Sequence, residues 1–214
     1  RRIYAWGLAE TGALGVHKNL KKHASKECLF VQFPTRIQFA EQYDVLKVAC
    51  GYGFSLYITK NTQGTLLFGT GINTDSQLGL QLNKWKHTMD RLIYPAPIQV
   101  TNPTTGHEVH VQDIACGRAH SLVLSDSGEV YTLGNNSYGQ CGRPVVRDEE
   151  YLASSTIHHI PEIGGEKVDK IFCGQDHSLF ITKSGKLFSC GWGADGQTGL
   201  EHYEIESQPS EVHG

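Results

Sequence analysis

The segment from Ala115 to Gly142, ACGRAHSLVLSDSGEVYTLGNNSYGQCG, recurs along this chain of 214 residues with the same landmarks each time. Internal repetition limits the folds open to a sequence more than any single motif does. The opening Ala-Cys-Gly returns as Ala49-Cys50-Gly51 and, with Phe172 in place of alanine, as Cys173-Gly174. Gly51, Gly117 and Gly174 are each followed four residues later by a serine, Ser55, Ser121 or Ser178, at the start of an apolar run. A hairpin glycine comes next (Gly64, Gly128, Gly185), then a joint glycine (Gly7, Gly69, Gly134, Gly191). The unit closes on a tight corner, Gly12 to Gly15, Gln77 to Gly79, Gly139 to Gly142 and Gly196 to Gly199.

Within one unit, His120 to Ser125 and Val130 to Leu133 alternate like strands around the turn Asp126-Ser127-Gly128, which predicts a β-hairpin. A lone hairpin is marginal in water, so it must pack against copies of itself. The joint glycines are spaced 62, 65 and 57 residues apart. The variation falls in the connections 16–44, 80–108 and 143–166, as surface loops allow. Each connection holds a proline-marked extended piece, Phe33-Pro34, Tyr94 to Pro97 and Ile160-Pro161, as expected of an edge strand. Asn83 to Arg91 is expected to form a short helix in its loop. With 24 glycines, one methionine and no sustained helical periodicity, the chain reads as all-β, each repeat one four-stranded blade of a β-propeller. The expected units are 1–15, 16–79, 80–142, 143–199 and the start of another at 200–214, about three and a half blades of one ring. The remaining blades are expected from further chain or another copy. The repeated glycines let backbones crowd near a central channel.

Motifs that suggest chemistry dissolve into the repeat. Gly191-Trp192-Gly193-Ala194-Asp195-Gly196 spells a dinucleotide fingerprint, but Gln197-Thr198-Gly199 follows where a helix is required. Cys116 with His120 and Cys173 with His177 share a zinc-like spacing, yet four residues of strand span about 13 Å, too far for two ligands of one ion. His120 and His177, with the serines, are assigned to satisfying backbone groups between blades. The second repeat has Phe54 at that histidine position, and Ser76 where a corner glycine is expected. Asn135-Asn136-Ser137, Asp126 and Asp176 read as turn residues. Cys28, Cys50, Cys116, Cys141, Cys173 and Cys190 are expected to be reduced, buried and apolar in role. No catalytic residue, metal site or cofactor is expected, and no small-substrate enzyme. No apolar run reaches the length of a membrane span. Strand-like Ile3 to Gly7 follows Arg1-Arg2 directly, so no targeting segment is expected in this chain.

Charge is unevenly placed. Residues 1–100 carry 12 Lys or Arg against 6 acids, and residues 101–214 carry 7 against 16, within a net charge of −3. Lys18, Lys21, Lys22 and Lys26 lie in the first connection, and Lys84, Trp85, Lys86 and Arg91 in the second. Both connections leave the repeat at one phase and so emerge on one face. That makes these eight residues the candidate surface for RNA phosphate, an acidic protein patch or anionic lipid headgroups, leaving peripheral membrane association open. The third connection alternates sign, with Arg143 and Arg147 before Asp148 to Glu150.

VACGYGFSLYIT, IACGRAHSLVLSDSGEVYTLGNNSYGQCG and FCGQDHSLFITKSGKLFSCGWGADGQTGL resemble the repeats of the regulator of chromosome condensation family. The resemblance spans essentially the whole chain and implies a seven-bladed propeller. It also implies guanine-nucleotide exchange on a small GTPase by one face of the ring. The strings CGYGF, NNSYGQCGR, CGQDHSLF and CGWGADGQTGL look most like a mitochondrial member. This implies a mitochondrial location, exchange on a mitochondrial GTPase, and association with ribosome-assembly proteins or ribosomal RNA. The matching motifs are scaffold motifs, so no exchange residue carries over.

Overall fold

The computed structural model describes residues 2–16, 30–62 and 64–213. Strands β1 (Tyr4–Leu8) and β2 (Phe30–Arg36) form a two-stranded sheet, and α1 (Phe39–Gln42) is a single helical turn. Three antiparallel four-stranded sheets follow, each meandering in sequence order. The first blade is β3 (Asp44–Cys50), β4 (Phe54–Asn61), β5 (Gly64–Ile72) and β6 (Arg91–Ile98). The second is β7 (Val111–Cys116), β8 (His120–Ser125), β9 (Val130–Gly134) and β10 (Ile157–Ile160), with the one-turn α2 (Tyr151–Ser154) before β10. The third is β11 (Val168–Cys173), β12 (His177–Thr182), β13 (Leu187–Gly191) and β14 (Glu206–Glu211). Three blades and half of another match the sequence estimate.

Counted corner to corner, the repeats are offset from the folded blades, which run 44–98, 111–160 and 168–211. The connection after each corner turns back to pair with the strand before it, so β14 is the outer strand of the third blade. The proline-marked pieces lie on the outer strands β2, β6 and at the end of β10.

Alternation along each strand divides side chains between two seams. Leu56 and Ile58 of β4 join a buried cluster with Ile114, Val123 and Tyr131 of the second blade. Tyr57, between them, faces Phe39 and Ile37 in the cluster under the half blade. One blade on, Leu122 and Leu124 turn to Ile171, Phe180 and Phe188 of the third blade. The far side of β12 meets no described neighbour, and Leu179 and Ile181 are half-buried there.

Each seam carries the same polar stitch. Ser55 Oγ donates to Ala13 O at 2.8 Å, Ser121 Oγ to Gln77 O at 2.7 Å and Ser178 Oγ to Gln140 O at 2.7 Å. With its proton given to Gln140, Ser178 Oγ accepts from His120 Nε2 at 3.0 Å, a pairing that requires the neutral Nε2-H tautomer. Burial lowers the His120 pKa to about 3. The repeated glycines make room for these rings. A Cβ on Gly117 would lie 2.1 Å from the His120 ring and 2.9 Å from Gln175 O, and one on Gly51 would lie 2.2 Å from Phe54 and 2.7 Å from Gly117 O. Phe54 therefore fills the histidine slot by shape alone.

Several expectations are corrected. The β4–β5 hairpin is longer than its counterparts, and the register places Phe54 opposite Gly71 as His120 is opposite Gly134 and His177 opposite Gly191. Gly71, with φ +106° like Gly134 at +100° and Gly191 at +110°, is thus the second joint; Gly69 pairs with Leu56 inside the strand. Asn83 to Arg91 contains no helix. A bridge between Leu82 and Thr88 makes it a small β-hairpin, because Asn83 Oδ1 accepts from the Trp85 and His87 backbones and closes a turn. Of the cysteines expected to be buried, Cys141 and Cys190 are, whereas Cys116 and Cys173 are half-buried and Cys50 is exposed. Cys50 ends the innermost strand of the first blade, and the half blade beside it supplies only β1 and β2. Cys28 lies outside the described residues.

Candidate partner-binding face

Successive turns of an antiparallel meander emerge alternately on the two faces of the arc. The inner loops 51–53, 117–119 and 174–176 therefore share a face with the outer loops 73–90, 135–156 and 192–205, and this is the face of the corners. The inner loops surround a cavity of about 740 Å³ lined by Cys50-Gly51-Tyr52, Cys116-Gly117-Arg118 and Cys173-Gly174-Gln175. Arg118 Nη2 donates to Gln175 Oε1 at 2.8 Å and pairs with Asp176 at 3.2 Å. Burial pushes the Cys116 and Cys173 thiols well above the ordinary range, so they are poor nucleophiles. This mouth has contact chemistry and no acid–base pair.

In the corners of the first and second blades a buried asparagine ties the outer loop to the blade. Asn73 Oδ1 accepts from Leu78 N at 2.8 Å, while its Nδ2 donates to Gly79 O and Met89 O. Asn136 repeats this with Cys141 N, Arg143 O and Pro144 O. Ser76 takes the left-handed φ of +57° where the other corners use glycine, and its Oγ contacts Ser155 Oγ at 3.2 Å in the next blade. Held at Asn73, the loop rises as a tongue over residues 81–89. Met89 N donates to Gln81 O, Asn83 N to His87 O and Lys86 N to Asn83 O, with Lys86 at φ +65° at the tip. Trp85 is 67% exposed there, and Lys84 Nζ lies 4.2 Å from the centre of its ring.

Large exposed apolar side chains in the loops of the three complete blades all lie on this face: Tyr52, Leu80, Leu82, Trp85, Val145, Val146, Tyr203 and Ile205. On the opposite face, one acidic side chain gathers four donors. Glu129 accepts from Asn102 Nδ2 at 2.9 Å, His159 Nε2 at 3.0 Å, and Tyr131 Oη and Lys167 Nζ at 3.2 Å each.

The regulator of chromosome condensation (RCC1) repeat matches residues 2–58, 66–124 and 127–181. The chain belongs to this family. It is 40% identical to the human RCC1-like G exchanging factor-like protein over 100% of its own length and 47% of the relative's. The crystal structure of human WBSCR16 superposes with a TM-score of 0.87 at 39% identity, covering 100% of this chain and 54% of that one. Prp20p from Saccharomyces cerevisiae, whose structure was described with its binding to Gsp1p and histones, aligns at TM-score 0.71 over 99% of this chain and 46% of that one. Its 22% identity shows the fold alone. The chain spans about half the length of these relatives.

In this RCC1-repeat arc the landmark residues Gly51, Gly117, His120, Gly134, Gly174 and Gly191 lie in seams and joints, His177 sits at the open end of the arc where it meets no further blade among the described residues, and Gly7 stands at the half-blade joint with φ +114°. Of the basic candidates, Lys84, Trp85 and Lys86 come together on the tongue. Arg91 stays exposed and reaches across to the half blade, its Nη1 3.4 Å from Glu10 O. Lys18, Lys21, Lys22 and Lys26 lie outside the described residues. The fingerprint-like Gly191 to Gly196 runs into the corner of the third blade without a helix. Sequence reasoning missed Asn73 and read Asn136 only as a turn residue, although both stand four residues before the corner glutamine, Gln77 or Gln140. It also missed Tyr52, Tyr203 and Ile205, which sit where the repeat varies and give no pattern. Among the described residues, no helix is long and apolar enough to cross a membrane.

Proposed function

We propose that this chain is part of a regulator of the guanine-nucleotide-exchange type that engages a small GTPase through the corner face. The observation that carries this reading is the tongue, which presents Lys84, Trp85 and Lys86 together on the face holding the exposed apolar loop residues. The kinship with a G exchanging factor-like protein supports it. An exchange factor binds the nucleotide-free GTPase more tightly than the loaded one, and this difference in affinity needs no acid or base. An aromatic anchor flanked by cations suits such an interface, since exposed Trp and Tyr dominate protein–protein contacts. We place the activity in mitochondria, on the sequence resemblance alone, with a mitochondrial GTPase as its target.

The decisive assay follows release of a fluorescent guanine nucleotide from a panel of small mitochondrial GTPases with the full-length protein. Acceleration that is lost in Trp85→Ala and in Lys84→Glu/Lys86→Glu supports the reading; no acceleration from any member overturns it. A cation beside an exposed ring also suits stacking on RNA bases, which favours a second reading as a ribosome-assembly factor. Salt-dependent retention of ribosomal RNA or of ribosome-assembly proteins, abolished by the same charge reversal, would select that reading. Fractionation of cells carrying the full-length protein tests the location.

A further inference from the structure

Among the described residues, the corner face carries two unpaired clusters of opposite sign. On the first blade, Lys84 and Lys86 flank Trp85; on the third, Glu201 and Glu204 flank Tyr203, which is 74% exposed. None of these four charges belongs to an ion pair among the described residues. Between them lies the outer loop of the second blade, which carries both signs and pairs Arg143 with Glu149 at 2.7 Å and Arg147 with Asp148 at 3.5 Å. Each cluster joins exposed apolar surface, Leu80 and Leu82 beside the tongue and Ile205 beside Tyr203.

We infer that the corner face pairs with a second copy of itself, the Lys84–Trp85–Lys86 tongue of each copy seating on the Glu201–Tyr203–Glu204 loop of the other. Two complementary patches on one face are what a twofold interface requires, because every contact is then made twice. A twofold axis lying between two apposed faces exchanges the patches. The alternative register, tongue on tongue, sets lysine against lysine, so charge selects the crossed arrangement. The pairing does not depend on the exchange reading, but its consequence does: it covers the face assigned to the GTPase, so self-association and partner binding compete.

Sedimentation velocity of the full-length protein over a concentration series tests this. Wild type is expected to dimerise at low salt and to lose at least about tenfold in affinity at high salt, where screening acts within a few ångströms. Lys84→Glu/Lys86→Glu and Glu201→Lys/Glu204→Lys should each be monomeric with unchanged melting curves. Mixed together they should form a heterodimer, since both crossed contacts become attractive again. A wild type that stays monomeric at low salt, or a dimer that survives both reversals and so uses the open ends of the arc, overturns the inference. Nucleotide exchange without dimers removes only this inference; dimers without exchange remove only the GTPase reading.

Discussion

Between the first and second blades Ser121 donates to Gln77 O, and between the second and third Ser178 donates to Gln140 O, each at 2.7 Å. The outer loops that leave those same corners share neither length, sign nor conformation. One is a basic tongue with Trp85 at its tip, the next holds a buried Arg143–Glu149 pair and a helical turn, and the third is acidic with Tyr203 exposed. A seam must satisfy its neighbour's backbone in a dry, close-packed space, where few side chains fit. A loop in water meets no such requirement, so it is free to acquire a partner.

Substitutions can break this contrast. The largest effect is expected from Phe180→Ala, which empties a fully buried position in the seam between the second and third blades and should cost about 3–5 kcal/mol in chemical denaturation. Gly71→Ala comes next. Its Cβ would lie 2.3 Å from Gly53 O at a φ of +106°, so a loss of about 1–3 kcal/mol from backbone strain is expected before any clash is counted. A smaller loss at Gly71 than at Gly7, where an added Cβ meets nothing within 4 Å, would count against the reassigned joint.

His120→Ala should cost about 2 kcal/mol by opening a cavity and leaving Ser178 without its donor, whereas His120→Phe, copying Phe54, should cost less. The two histidine states also differ in pH response. Burial lowers the folded pKa from 6.5 to about 3, so the unfolded chain binds the extra proton. The histidine's contribution is therefore intact above about pH 6.5 and is lost progressively as pH falls towards 3. The stability difference between wild type and His120→Phe should shift towards the variant across that window, and a pH-independent difference would show that His120 is not held neutral. Smallest of all, Trp85→Ala should leave the unfolding midpoint unchanged while weakening partner binding. A destabilisation as large as that of the seam variants would make the tongue part of the scaffold and erase the contrast.

Much of the scaffold was legible because it repeats. Three copies of Cys-Gly followed by an inward serine identified the blade, and the exchange of Phe54 for histidine marked that position as structural. The second joint was misread because Gly69 and Gly71 both lie near the expected spacing, and only the pairing of Phe54 with Gly71 separates them. The tongue was misread as a helix because Asn83, Lys84 and Lys86 do not announce a hairpin on their own. It forms through Asn83 Oδ1 and the hold of Asn73 on Met89 O, contacts that local propensity does not register.

The sequence by itself determined the blade, the approximate blade count and the serine part of the polar stitch, because a buried repeat must reuse the same small residues and donors each time it meets a copy of itself. That His120 bonds the Ser178 hydroxyl rather than a backbone group, and that His177 makes no such bond among the described residues, was not foreseen. The tertiary structure decided that Lys84, Trp85 and Lys86 share a face with Glu201, Tyr203 and Glu204, and that Arg91 leaves the tongue to reach Glu10 O on the half blade. Those relations depend on which side of a meander each loop emerges, and on side-chain bonds between residues far apart in the chain.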